Sequence, residues 1–268
     1  VPFHSRWRHF EFENKNFWQK TALKLTKRSK NEIARSQIDL AVVSVLLDAG
    51  AGPSWRYKDL QTGLNFSRSE GLAIASLRLF ESGVLSQSGL DDPLRVDATS
   101  LQALTPEILA MEFQVSESNQ LLGLEDRAKL LNRLGDTLLK QKNIFEAEGT
   151  FRPGNLFDYL TRNQVTGALE ARDILVAILQ GMGEIWPDGS WIDNVAIGDA
   201  GYHEVVKRSD ITDGIVPFHK LSQWMSYSLI EPLQEAGFKV NNLDALTGLA
   251  EYRNGGLFID TKAISLKD

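Results

Sequence analysis

Lys220, Trp224, Tyr227 and Glu231 recur at one-turn intervals within VPFHKLSQWMSYSLIEPLQEAG. Side chains three, four and seven residues apart share one helix face. Leu221, Met225, Leu229 and Leu233 form the neighbouring row and read as core-facing. Solvated faces rarely carry both a Trp and a Tyr, so the first row reads as an aromatic wall headed by a cation. Such a wall suits a small polar ligand, because pockets are mostly apolar with a few placed polar groups. Downstream, Glu251-Tyr252-Arg253-Asn254-Gly255-Gly256 reads as a turn closed by two glycines. In isolation it would be a solvated turn. Close to the Lys220 helix, its carboxylate, guanidinium and ring can orient a water or stabilise a cationic transition state.

Other chemistries are poorly supported. His4 and His9 lie five apart and His203 and His219 sixteen apart, with no H-x-x-x-H and no cysteine, so no metal site is expected. There is no G-x-S-x-G elbow for a Ser-His-Asp hydrolase and no phosphate-cradling P-loop. Gly50-Ala-Gly52-Pro53-Ser54-Trp55 reads equally as a helix C-cap or as a loop whose amides hold an anion. Val-Pro-Phe-His occurs twice, at Val1–His4 and Val216–His219, without extended similarity around it. The repeat is not a duplication, but it sets two of only four histidines just after a proline that presets an extended entry.

The elements that must hold these residues are mostly helical. From Asn31 to Asp48 apolar residues cover most of a helix circumference, the pattern of a buried helix, and Asp48-Ala-Gly-Ala-Gly-Pro53 stops it. Ser67-Arg-Ser69-Glu70 offers capping residues ahead of Leu72, Ile74, Leu77 and Leu79, with Gly83 as the stop. Further helices are expected over Thr105–Phe113, Glu125–Gln141 (Arg127, Lys129 and Arg133 on its polar side), Leu169–Met182 and Phe218–Ala236. Strands are expected only in short pieces such as Lys239–Val240 and Leu257–Ile259. Helical periodicity outweighs alternation, which makes this a mainly α chain. No Pro/Ser linker divides it, so residues 1–268 read as a single domain. Val rather than Met at residue 1 suggests a fragment of a longer chain.

Composition narrows the function classes. A hydrophobic fraction of 43% and a charged fraction of 24% are ordinary for a globular protein. The net charge of −6 argues against nonspecific nucleic-acid binding. Having no cysteine excludes disulfides and thiolate nucleophiles and is compatible with a reducing, cytoplasmic location. The longest apolar run, Leu40–Leu47, is broken by Ser44 and too short to span a bilayer, and no signal peptide is visible.

Five blocks, VPFHSRWRHFE, LLDAGAGPSWRY, FSRSEGLAIASLRLF, VPFHKLSQWMSYSLIEPLQEAG and LTGLAEYRNGGLFID, resemble the uncharacterised-domain family of the URC uracil-catabolism pathway of fungi and bacteria. The resemblance spans nearly the whole chain; the middle, about 91–152, contributes little to it. Family members run longer at both ends. A more distant likeness joins HKLSQ and LTGLAEYRNGG to the queuosine-salvage nucleotide N-glycosidases, which carry a Lys-x-x-Gln helix and an Asp-Tyr-Arg turn on a helical, DNA-glycosylase-like fold. The match falls on Lys220 and Gln223 and on Glu251, Tyr252 and Arg253. Glu251 is one methylene longer than the aspartate of those enzymes, and Ser228 stands where their helix carries a downstream aspartate.

The resemblance implies an enzyme that hydrolyses the N-glycosidic bond of a ribosylurea-type nucleotide to urea and ribose 5-phosphate. Cleavage passes through an oxocarbenium-like state, which a carboxylate at Glu251 would stabilise or serve by activating water. Lys220, Arg253, His4 and Arg6 would hold the 5′-phosphate. Trp7, Trp55, Trp224 and Tyr252 would exclude water, with Gln223 and His219 alongside. Asp48 and Glu70 are second-choice carboxylates with structural roles as the equal alternative. The partner is thus a small ribosyl phosphate, with no cofactor, nucleic acid or membrane. A phosphoribosyl-transferring enzyme acting on uracil is an alternative, against which stands the lack of an acidic pair before a Gly/Thr-rich phosphate loop. A binding protein that sequesters a pathway intermediate is another.

Overall fold

The structure, a computed structural model, describes residues 3–187, 189–248 and 252–267, with backbone only for 252–254. Its six longest α-helices are α1 Lys30–Leu46, α2 Arg68–Glu81, α3 Leu124–Lys140, α4 Ala171–Met182, α5 Lys220–Glu235 and α6 Tyr252–Asp260. Strands are few and short. One parallel pair joins β1 Ala168–Glu170 to β2 Lys239–Asn241, with Leu169 opposite Val240. The remaining named pairs are antiparallel, with strands of two residues each. The mainly α expectation therefore holds.

The helix α1 runs through the core: every residue from Ser36 to Leu46 is buried. That follows from its apolar circumference, since a helix without a polar face has no side to give to water. It packs against α2, α3 and α5, and α5 packs in turn on α4. Asp39, fully buried within α1, accepts from Arg152 Nε at 2.8 Å, Val96 N at 3.0 Å and Gly154 N at 2.6 Å. Several donors are needed here, because an unpaired buried carboxylate is strongly destabilising. A Cβ at Gly154 would lie 2.5 Å from the Arg35 carbonyl oxygen, so only glycine lets the 153–155 turn approach α1 this closely.

Four local expectations are corrected. Leu257–Ile259 lies within α6 rather than in a strand, and Tyr252–Gly256 begins that helix instead of forming a turn. A short apolar run does not distinguish the two periods. The α2 N-terminus has no side-chain cap from Ser67, and Ser69 spends its hydroxyl elsewhere. Arg127 is buried rather than on a polar face: it donates to the carbonyls of Leu47 and Gly50, the latter at 3.0 Å. The loop after α1 therefore turns carbonyls toward a guanidinium, as suits a helix C-terminus, and is a capping rather than an anion-binding arrangement. Among the described residues no helix is long and apolar enough to cross a membrane.

Candidate functional site

The aromatic row on α5 is covered by the chain's own N-terminal segment. Phe3 stacks on Tyr227 with ring centroids 5.9 Å apart, and His4 stacks on Trp224 at 6.1 Å. Arg6 N donates to Ser228 Oγ at 2.9 Å and Trp7 Nε1 to the Ser228 carbonyl at 2.7 Å. Ser5 Oγ and Arg8 Nη2 both donate to Glu231, each at 2.5 Å. The segment Arg6–Phe10 is a short 3-10 helix seated on this row. The expected open wall is thus corrected: Trp224 is 8% exposed, and the N-terminal segment fills the row and adds its own polar groups.

Those groups meet the ends of two core helices. Arg6 is fully buried, with Nη1 3.0 Å from Asp48 Oδ2, just past α1, and 3.1 Å from Ser69 Oγ, in the first turn of α2. Its Nε donates to Ser44 Oγ at 2.7 Å, and its guanidinium carbon lies 5.4 Å from the Trp224 ring centroid. Ser69 Oγ donates to Asp48 Oδ2 at 2.6 Å and lies 2.9 Å from His9 Nδ1. His9 Nε2 is 3.0 Å from His4 Nε2, and the His9 ring stands edge-on to Trp224 at 5.5 Å. Two helices enter this region through left-handed residues, Arg68 (φ 53°) before Ser69 and His219 (φ 43°) before Lys220. Backbone held in that region is uncommon for side chains of this size and concentrates where geometry serves function.

The electrostatics follow from burial next to a cation. His9 is pushed down from 6.5 to about 4 by burial and then by the Arg6 charge, with Asp48 and Glu70 pulling the other way. His4 is also lowered, first by burial and then by Arg6 and Arg8. Arg6 itself is lowered by burial, against the attraction of Asp48. Both imidazoles are therefore neutral near pH 7.

Among the described residues, Arg6 Nη2, Trp224 Nε1 and Gln223 Oε1 are buried and lack a hydrogen-bond partner. A buried unsatisfied donor costs about 1–3 kcal/mol, and an incoming acceptor would offset that cost. The arrangement can bind a carbonyl or phosphoryl oxygen beside an indole face, next to a neutral imidazole pair that can take a proton.

Of the residues expected from sequence, His4, Arg6, Asp48 and Trp224 come together here. Glu70 is exposed next to Ser69, and its charge reaches Arg6 and His9. Lys220 is half-buried as the first residue of α5, one turn before Trp224. His219 Nδ1 is 3.4 Å from Asp199 Oδ1, in a contact that secures the start of α5. Trp7 and Trp55 are not in the cluster. Trp7 packs edge-on against Phe10 and Trp18, and fully buried Trp55 donates its N–H to the Phe113 carbonyl at 3.0 Å while stacking on that ring. These indoles are core residues, as large rings with one satisfied N–H usually are. Glu251 and the side chains of Tyr252 and Arg253 lie outside the described residues. The chain approaches them from Thr247, whose carbonyl accepts from Tyr227 Oη at 3.0 Å.

His9 and Ser69 were missed as site residues. By residue type and spacing His9 reads as a candidate metal ligand and Ser69 as a cap, and nothing local in sequence joins either to Asp48. Among the described residues no group of three or more His, Cys, Asp or Glu is arranged to hold a metal. A cleft of about 320 Å³ lies elsewhere, lined by Arg28, Arg35, Arg95 and Arg152. Its arginines are matched by Glu32, Asp39, Asp92, Asp97 and Asp158, which leaves no cationic excess for a ligand.

The chain belongs to the family described as "Protein of unknown function (DUF1688)", whose model matches residues 1–268. It is 40% identical to "Uracil catabolism protein 4" of Lachancea kluyveri, over all of this chain and 64% of that protein. It is also 40% identical to "Protein urg3" of Schizosaccharomyces pombe, over all of this chain and 63% of that protein. The chain thus spans a little under two thirds of the length of these relatives.

Proposed function

We propose that this family member acts in uracil catabolism as a hydrolase of an N-glycosidic bond, cleaving a ribosylurea-type nucleotide to urea and ribose 5-phosphate. The observation that carries the reading is the meeting of His4, Arg6, Asp48 and Trp224, with an Arg6 N–H and the Trp224 N–H left without acceptors among the described residues. A substrate oxygen, of a ureido carbonyl or a phosphate, supplies the acceptor those donors lack. The Trp224 ring excludes water from one side. The carboxylate that stabilises the oxocarbenium-like state is assigned to Glu251, and Lys220 and Arg253 are assigned to the phosphate. Water attacks the anomeric carbon, the carbon–nitrogen bond breaks with its electron pair on nitrogen, and the urea nitrogen takes up a proton. A name carried by a relative supports the pathway; the residues support the bond.

Incubating the purified protein with ribosylurea 5′-phosphate and measuring free urea tests this reading. Urea should appear with turnover above the protein-free control. Release no faster than that control, from protein that still binds the compound, would instead indicate a binding role. Activity that depends on added pyrophosphate would indicate phosphoribosyl transfer.

A further inference from the structure

Two side chains in the cluster have no role in the reading above, and both lie on one continuous path. From Asp48 Oδ2 the path runs 2.6 Å to Ser69 Oγ, 2.9 Å to His9 Nδ1, and from His9 Nε2 3.0 Å to His4 Nε2. Each interval is a hydrogen-bond distance. The path joins a nearly buried carboxylate, 8% exposed, to a histidine at the surface. No local sequence feature links its four members, which come from three separate segments of the chain.

We propose that Asp48, Ser69, His9 and His4 form a proton relay in which His4 Nδ1 is the base that activates the attacking water. His4 is then the catalytic residue, while His9, Ser69 and Asp48 are positioning residues acting through it. The inference rests on the site assignment made under Proposed function.

The relay requires one direction for each bond. An ionised Asp48 only accepts, and a guanidinium only donates. Ser69 therefore gives its proton to Asp48, and its lone pairs accept from Arg6 Nη1 at 3.1 Å and from His9 Nδ1–H. With its Nδ1 protonated, neutral His9 accepts at Nε2 from His4 Nε2–H. The Nδ1 of neutral His4 is then left with a lone pair and, among the described residues, no hydrogen-bond partner. In this arrangement the 3.2 Å approach of Arg6 Nη1 to His9 Nδ1 is a contact without a hydrogen bond.

The step balances. Water loses a proton to His4 Nδ1 as its oxygen bonds to the substrate carbon, and the leaving nitrogen keeps the electron pair of the broken bond. The added proton moves along the path by three transfers: His4 Nε2 to His9 Nε2, His9 Nδ1 to Ser69, and Ser69 to Asp48. The reverse shift returns it for the leaving nitrogen. Arg6 faces Asp48, Ser69 and His9 together, at 3.0, 3.1 and 3.2 Å. The other charges acting on the imidazoles are Arg8 on His4 and Glu70 on His9.

The test compares wild type, Ser69→Ala and Ser69→Thr in the full protein, using urea release across pH and histidine nitrogen NMR. Ser69→Ala should lower kcat by about 100-fold, the lower end for general acid–base catalysis, with little change in KM. It should also move the acid limb of the pH profile, and Ser69→Thr should restore both. In the wild-type spectrum the His9 Nδ1 should carry a proton donated to oxygen, and that signal should shift in Ser69→Ala. Urea release together with an unprotonated His9 Nδ1, or with wild-type kcat in Ser69→Ala, would overturn the relay and leave the glycosidase reading standing. Conversely, the expected His9 signals without urea release would show the hydrogen-bonded path alone and overturn both the glycosidase reading and the catalytic role given to His4.

Discussion

Ser228 Oγ accepts the backbone N–H of Arg6 at 2.9 Å, a bond between residues 222 positions apart. The same hydroxyl donates back to the Trp224 carbonyl at 2.8 Å, and the Ser228 carbonyl takes the Trp7 indole N–H. One small side chain thus seats the N-terminal segment on α5 and sets Arg6 beside Asp48.

Replacing Ser228 with Ala leaves the buried Arg6 N–H without an acceptor. The expected loss is about 1–3 kcal/mol, the cost of an unsatisfied buried donor. Denaturant unfolding should show a lower midpoint with an unchanged slope; an unchanged midpoint would mean that the contact contributes nothing.

Stability should fall on acidification through the titration of His9. Its folded pKa is depressed to about 4 from 6.5, so between those values the unfolded chain binds more protons than the native one. The contribution of neutral His9 is fully present above about pH 6.5 and is lost as pH falls toward 4. His9→Gln should flatten the stability curve across that window. A curve parallel to wild type would refute the buried neutral imidazole.

Asp199 caps α5 from outside the helix. Its Oδ2 accepts from Leu221 N at 2.8 Å and Ser222 N at 3.2 Å, and its Oδ1 from Ser222 Oγ at 2.5 Å. Burial raises its pKa, but the close contact with His219 and the bonds from Ser222 outweigh burial and hold it below the usual range. Asp199→Ala should cost about 1 kcal/mol, as cap removal does, and shift Trp224 fluorescence as the first turn loosens. Wild-type thermal stability would show that the helix start is held by other contacts.

Glu251→Gln keeps the shape of the side chain and removes its charge. If Glu251 stabilises the cationic transition state, urea release should be abolished while circular dichroism and Tm remain those of wild type. Near-normal turnover would refute the assignment.

Much of the helical framework was legible in sequence because a helix is specified within a few turns. The apolar circumference of α1 and the one-turn row on α5 are local patterns, and both helices form within two residues of their expected bounds. Leu257–Ile259 was misread because three apolar residues carry no period. The cluster was half legible: His4, Arg6, Asp48 and Trp224 stood out by residue type and motif, whereas Trp7 and Trp55 share that type yet pack in the core. Which face a ring presents depends on what packs over it, and that is decided by segments distant in the chain. Residue spacing alone therefore determined the helices and the chemistry available to them. Tertiary packing decided that the N-terminal segment covers α5 and that His9 and Ser69 join Asp48 to His4, because hydrogen bonds act over about 3 Å, whatever the separation along the sequence.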